Sequence, residues 1–375
     1  MPQEDIYKAM RPFSNEEFEM LKSHLGEKDY VKMVMRYGTP TLTDDDIKNI
    51  LIDCHSTDDF VVKVAYPVVQ QVLRDTSSGL TSSGFDALCK DERYVFFSNH
   101  RDIVMDPILL NLSTYENGIG LAQTATGDNL TPDEMTRTVS KLLKNFVVFR
   151  SLSPKEMLKS SMLMSSYIHH VIYDENDNVW IAQREGRSKD GNDRSDAAVI
   201  KMMCLARKGD VREYLDSLHL VPMAISYQWD PNDVLKLPAL LAARKGEKYV
   251  KAPGEDFESI MTGVRGYKGA IHIAVGERLD LSRIEEQANA NVIFKEVARY
   301  MDTQIHRMYH LYDTNYVAYD MINGVEEHAA HYTPQLKEQF ISRMEKACGD
   351  DEEKRELFLA MYANPVINRY KYEQK

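Results

Sequence analysis

Residues 96–110 read FFSNHRDIVMDPILL. Two apolar runs are interrupted by a cluster that holds His100, Asp102 and Asp106. A carboxylate bonded to one imidazole nitrogen fixes the tautomer and raises the basicity of the other. That is the base-plus-orienter arrangement of general-base catalysis. Asp102 and Asp106 both lie within reach of His100, and the spacing leaves both open as the orienter. No Ser or Cys sits in a G-x-S-x-G nucleophile context, so the base is expected to activate a hydroxyl of a substrate rather than of the protein. Arg150, Arg184 and Arg187, with Lys189 close by, supply cations, and the planar guanidinium fork suits a phosphate. Glu185 lies between Arg184 and Arg187 and can hold their side chains. Gly186 permits a backbone conformation closed to other residues, or a close ligand approach.

The elements that must position these groups follow from the hydrophobic period. RYVFFSN (93–99), IGLAQTAT (119–126), FVVFR (146–150), NVWIAQ (178–183), LVPMAISYQW (220–229) and GAIHIAVGERL (269–279) read as strands. Helical stretches alternate with them: DPILLNLS, PDEMTRTVSKLLKN, a long amphipathic segment opened by Pro154, and DAAVIKMMCLARKG, ended by Gly209. Alternating strands and helices predict an α/β domain with a mostly parallel sheet flanked by helices. SNHRDIVMD, Arg150, REGRSKDGNDR (184–194) and Ser226-Tyr227 each fall at the C-terminal end of a predicted strand. Ligands bind at that edge in open α/β sheets, so these clusters predict one site.

Residues 1–88 are expected to form a helical N-terminal region. Thr43 followed by acids marks a helix start, Pro67 a start or kink, and the Ser/Thr/Gly-rich TSSGLTSSGF (76–85) a loop. Residues 89–280 hold the α/β domain, and 281–375 a helical C-terminal region. DGNDRSD (190–196) has Ser195 where a calcium loop needs Gly and Lys201 where it needs Glu; it reads as a polar turn capping the next helix. EEHAAH (326–331) reads as a solvated helix end rather than a metal site.

The chain has 375 residues, 43% apolar and 28% charged, with a net charge of −12. That composition is globular, and it lacks the basic face that nucleic-acid binding requires. The four cysteines are far apart, without zinc spacing, and are expected to be reduced, structural thiols of a cytoplasmic protein. The N-terminus lacks the apolar core of a secretory signal, and no stretch approaches the roughly 20 apolar residues of a spanning helix. Any meeting with a membrane is expected to be peripheral, at its inner face.

Taken in order, these clusters resemble the glycerolipid acyltransferase family, which acylates glycerol 3-phosphate and 1-acylglycerol 3-phosphate. The family carries an N-H-x4-D block, a block ending in Arg after an apolar strand, an E-G-T-R block and an apolar block around V-P. Here the similar blocks are Asn99-His100…Asp106, FVVFR with Arg150, Glu185-Gly186-Arg187-Ser188, and Val221-Pro222-Met223-Ala224-Ile225. The resemblance covers roughly residues 90–280. Five residues separate His100 from Asp106 where the family has four, and the third block lacks its Thr.

The resemblance implies that His100, oriented by Asp106, deprotonates the acceptor hydroxyl, which attacks the thioester of acyl-CoA or acyl carrier protein. It implies an acceptor site from Arg150, Glu185, Gly186 and Arg187, with Asn99 and Arg101 contributing, and an acyl side shaped by Pro222. It implies a lysophospholipid or glycerol phosphate acceptor, and no metal or bound cofactor. Two other functions remain compatible with the residues: a hydrolase using the same His/Asp pair on water, and a non-catalytic protein that binds lipid or acyl carrier.

Overall fold

The computed structural model describes residues 5–149, 152–284 and 289–373. Seven strands form one sheet: β1 (Gly79–Ser83), β2 (Val95–Ser98), β3 (Ala122–Gly127), β4 (Asn145–Val148), β5 (Asn178–Ala182), β6 (Leu220–Tyr227) and β7 (Ala270–Val275). Their order is β1-β7-β6-β2-β5-β3-β4. Strands β6, β2, β5, β3 and β4 run parallel, while β7 is antiparallel to β6 and carries β1 parallel to itself. The protein is therefore α/β, with a mostly parallel sheet and helical regions before and after it. All six predicted strands are present.

Side chains alternate across this sheet, and each face has its own core. Val95, Phe97, Val179 and Ile181 pack with Met164, Ile168 and Ile200 on one face. Phe96, Trp180, Val221 and Met223 pack with Val69, Leu109 and Leu112 on the other. Every residue of β2 and β6 is buried, as expected for strands covered on both faces. The chain leaves β2 toward β3 on one side and leaves β5 toward β6 on the other. The C-terminal ends of β2 and β5 therefore flank a topological switch point, the usual place for a ligand crevice.

Three sequence expectations are corrected. TSSGLTSSGF contains an edge strand, β1, paired with β7 in the register Gly79↔Ala270 to Ser83↔Ala274. It is mostly exposed, so backbone pairing holds it and no apolar alternation announces it. The helix expected to run to Gly209 is Ala197–Met203. Its end is fixed from outside, because the Ser165 hydroxyl donates to the Met203 carbonyl and accepts from the Ala206 N–H. His328 is not solvated. It is buried, its ring bonded to the Tyr370 hydroxyl at 2.7 Å and its backbone N–H donated to Asp320.

The start signal read at Thr43 is a helix cap, for Asp44–Ile52, and the polar turn 190–196 caps Ala197–Met203 through Asp196. Pro67 stands at the first turn of Tyr66–Thr76, directly after a π-helical turn, Val61–Ala65. The C-terminal helices Asp313–Asn323, Pro334–Cys348 and Glu352–Glu373 share a core with Trp229. Among the described residues no helix is long and apolar enough to cross a membrane.

Candidate active site

His100 follows β2 by two residues, on the turn that leads into helix Met105–Glu116. Its Nδ1 lies 2.8 Å from Asp106 Oδ2. The same oxygen accepts the backbone N–H groups of Arg101 at 2.5 Å and Asp102 at 2.9 Å. The other oxygen, Oδ1, accepts the Tyr227 hydroxyl at 2.7 Å. Asp106 is fully buried. Burial alone would push its carboxyl up. The bond and charge of His100, with the Asp102 N–H and the Tyr227 hydroxyl, outweigh that and hold it below the ordinary carboxylate value. An ionised Asp106 fixes His100 with a proton on Nδ1 and leaves Nε2 as the basic nitrogen.

Asp102, the other orienter the sequence left open, is not bonded to His100. Its Oδ1 accepts the N–H groups of Val104 and Met105, so it closes the turn at the helix start, and its Oδ2 accepts from Asn232 at 2.9 Å. Burial and the neighbouring Asp106 push its carboxyl up. The two carboxylates thus divide the work, Asp106 orienting the imidazole and Asp102 folding the turn.

A cavity of about 640 Å³ opens beside this turn. His100, Trp180 and Pro107 line it, as do Arg184, Glu185, Gly186 and Arg187 after β5. Most of the remaining wall is apolar, including Val61, Val69, Ile108, Val139, Met164 and Ile260. The Trp180 ring meets His100 edge-on, with centroids 5.3 Å apart. Such a cavity suits a ligand with a long apolar portion and a few polar groups at one end.

Of the cations expected after β5, Arg184 and Arg187 line the cavity and Lys189 does not. Arg187 has a buried Nη1 with no hydrogen-bond partner in the structure. Arg184 lies 3.8 Å from Asp190, a loose pair. Burial, then the nearby charges of Arg187, Lys251, Lys236 and Arg184, depress the Lys189 ammonium. Gly186 adopts φ +72 with open space around its missing Cβ, so conformation rather than crowding requires glycine there.

The structure brings His100, Glu185, Gly186 and Arg187 together on the cavity wall, with Asp106 buried behind His100. Arg150 lies outside the described residues. Asn99, Arg101 and Pro222 do not line the cavity. Asn99 is buried, and its amide exchanges two hydrogen bonds with the Ile225 backbone, tying the end of β2 to β6. Arg101 is buried in an ion pair with Asp193 at 2.7 Å, over the Tyr309 ring. Pro222 sits inside β6 opposite Phe97, its ring against Gly276. Sequence reasoning gave Tyr227 no role beyond its place at the sheet edge. That place, at the end of the strand beside β2, was the available signal. Helix Glu255–Arg265, whose Phe257 and Ile260 line the cavity, was missed altogether. Its Gly263 is required, because a Cβ there would lie 2.1 Å from Asp102 Oδ2. Among the described residues, no group of three or more His, Cys, Asp or Glu side chains is placed to hold a metal ion.

Fold and site together define an α/β protein with a His–Asp pair whose His lines a largely apolar cavity. No family model matches the chain, and no curated protein matches it. Among solved structures it is similar to the 1-acyl-sn-glycerophosphate (LPA) acyltransferase PlsC from Thermotoga maritima, with 12% identity and a TM-score of 0.37. The match covers 78% of this chain and 98% of that one. A likeness this loose assigns neither residues nor function.

Proposed function

We propose that the protein transfers a fatty acyl group from an acyl thioester to a hydroxyl of an anionic glycerolipid acceptor such as 1-acylglycerol 3-phosphate. The observation that carries this reading is the His100–Asp106 pair beside a largely apolar cavity that Arg184 and Arg187 also line. His100 Nε2 takes the acceptor's hydroxyl proton as the oxygen attacks the thioester carbonyl. The tetrahedral intermediate collapses, the carbon–sulfur bond breaks, and the proton passes from His100 to the departing thiolate. Products are the ester and the free thiol, so the balance needs no redox partner. Asp106 stays ionised throughout and stabilises the imidazolium.

Arg187, with Arg184, is assigned to the acceptor's phosphate, and the apolar wall to acyl chain. The donor is acyl-CoA or acyl carrier protein, a co-substrate rather than a resident cofactor. Met135 and Phe257 line the cavity yet are exposed. They favour a protein that meets a lipid surface peripherally, where such acceptors reside.

The test is acyl transfer by purified protein, with labelled acyl-CoA and acyl carrier protein offered to glycerol 3-phosphate, 1-acylglycerol 3-phosphate and unphosphorylated acceptors. His100→Ala is expected to lose about 10²–10⁴-fold in kcat/KM while staying folded. Unchanged transfer in that variant refutes the assignment. Thioester hydrolysis without transfer assigns the pair to water.

A further inference from the structure

The loop after β5 is held from two sides. On its cavity side Arg184, Glu185, Gly186 and Arg187 form wall, and the Ser188 N–H donates to the His100 carbonyl at 2.7 Å. On its far side it meets helix Glu352–Glu373 through three consecutive residues. The Asn364 amide donates to the Asp190 carbonyl at 2.6 Å, and the Asn368 amide to Asn192 Oδ1 at 3.2 Å. Between them Gly191, at φ +70, is so close that a Cβ would lie 2.2 Å from the Met361 carbonyl oxygen.

That carbonyl is no ordinary helix acceptor. Pro365 lies inside the helix and has no N–H, so the oxygen four residues earlier, on Met361, lacks its helical donor. The freed carbonyl is the atom against which Gly191 packs. Residues 361, 364 and 368 share one helix face at spacings of three and four. Proline, glycine and two asparagines thus form a matched contact at 190–192, within five residues of Arg187.

We infer that the C-terminal helix is a clamp that positions the anion-binding wall. It holds Asp190 to Asn192 so that Arg187, which lines the cavity, presents its guanidinium to the acceptor from a preformed loop. Ordering a loop costs conformational entropy at the moment of binding, and the clamp removes that cost before the acceptor arrives. Asn364 and Asn368 are positioning residues that act through the loop. The inference rests on the acyl-transfer reading for the identity of the anion, though not for the contact itself.

The test uses the full chain carrying Asn364→Asp, which keeps the shape but sets a carboxylate against the Asp190 carbonyl. Asn368→Ala is the second variant, and Glu356→Gln, on the exposed part of the same helix, the control. Kinetics are measured for acceptor and donor separately, with hydrogen exchange of the amides of 186–192. The expected result is an acceptor KM raised roughly tenfold in Asn364→Asp, a donor KM unchanged, faster exchange in the loop and a control like the wild type. An unchanged acceptor KM, or equal losses for donor and acceptor, overturns the inference. If Asn364→Asp does not fold, Asn368→Ala is read by the same criteria. If the wild type transfers no acyl group, the functional reading fails by itself. Exchange then decides the clamp: unchanged rates overturn it, and faster rates confined to the loop sustain it.

Discussion

Asp106 accepts four hydrogen bonds, from His100, two backbone N–H groups and Tyr227. The Tyr227 bond is the one that mutation can remove without touching His100. In Tyr227→Phe the buried Oδ1 loses its donor, and a buried acceptor left bare costs about 1–3 kcal/mol. The carboxyl then rises from its depressed position, and the acid limb of kcat/KM is expected to move to higher pH. The stability effect has a definite sign. A carboxyl depressed in the folded state contributes stability above its unfolded value, ordinarily 3.8, and loses it as pH falls toward the folded value. Tyr227→Phe is therefore expected to be less stable than wild type at pH 7, with the gap narrowing below about pH 4. Urea titrations at several pH values check this; a gap that does not depend on pH removes Tyr227 from the site's electrostatics.

Elements are joined by buried ion pairs whose loss reads differently. Lys144, at φ 59 in the turn before β4, is buried. Its ammonium meets Asp58, from the N-terminal helices, at 2.5 Å and Asp177, before β5, at 2.7 Å. Burial pushes Asp177 up, and Lys144 opposes that. Removing one partner of such a pair leaves an uncompensated buried charge. Lys144→Met is expected to lose about 3 kcal/mol, the lower end of the range because Asp58 is partly solvated. Chemical denaturation measures it, and a loss below about 0.5 kcal/mol would show that the contact contributes no more than a surface pair. This pairing also holds the N-terminal helices where Val61, Ala65, Tyr66 and Val69 can wall the cavity.

Across the molecule as a whole, the sheet takes its edge strand from upstream of residue 89. A fragment beginning there would leave β7 without β1 and bare its row of backbone donors and acceptors, a template for edge-to-edge association. It would also remove the Val61–Val69 wall. We expect the fragment 89–375 to be recovered as soluble aggregate in size-exclusion chromatography, with the full chain eluting as a discrete species. A discrete fragment with native-like circular dichroism contradicts this. The C-terminal helices are equally engaged: Arg343 pairs with Asp233 at 2.6 Å, and Tyr362 donates to the same carboxylate at 2.7 Å.

Local pattern in the chain was enough for six of the strands: β2, β5 and β6 are buried almost throughout and must be short apolar runs, and β3, β4 and β7 keep enough apolar residues to stand out between turn signals. His100, Glu185, Gly186 and Arg187 were legible as candidates because polar residues at strand ends stand out against those runs. Thr43 was legible as a cap, and 190–196 as a capping turn, because the bonded partners lie within three residues. The remaining features depend on contacts between distant segments. β1 is held by backbone pairing that leaves no side-chain period. Whether Asp102 or Asp106 faces His100 depends on the path of the turn, and five residues of spacing admit both. Asn99 and Arg101 flank the cavity residue His100 in sequence, and Pro222 was carried over from the resemblance, but all three point into contacts, with Ile225, Asp193 and Gly276, made more than 50 positions away in the chain. Tyr227 and helix Glu255–Arg265 reach the site from distant segments, and long-range proximity is set by packing, which no local pattern encodes.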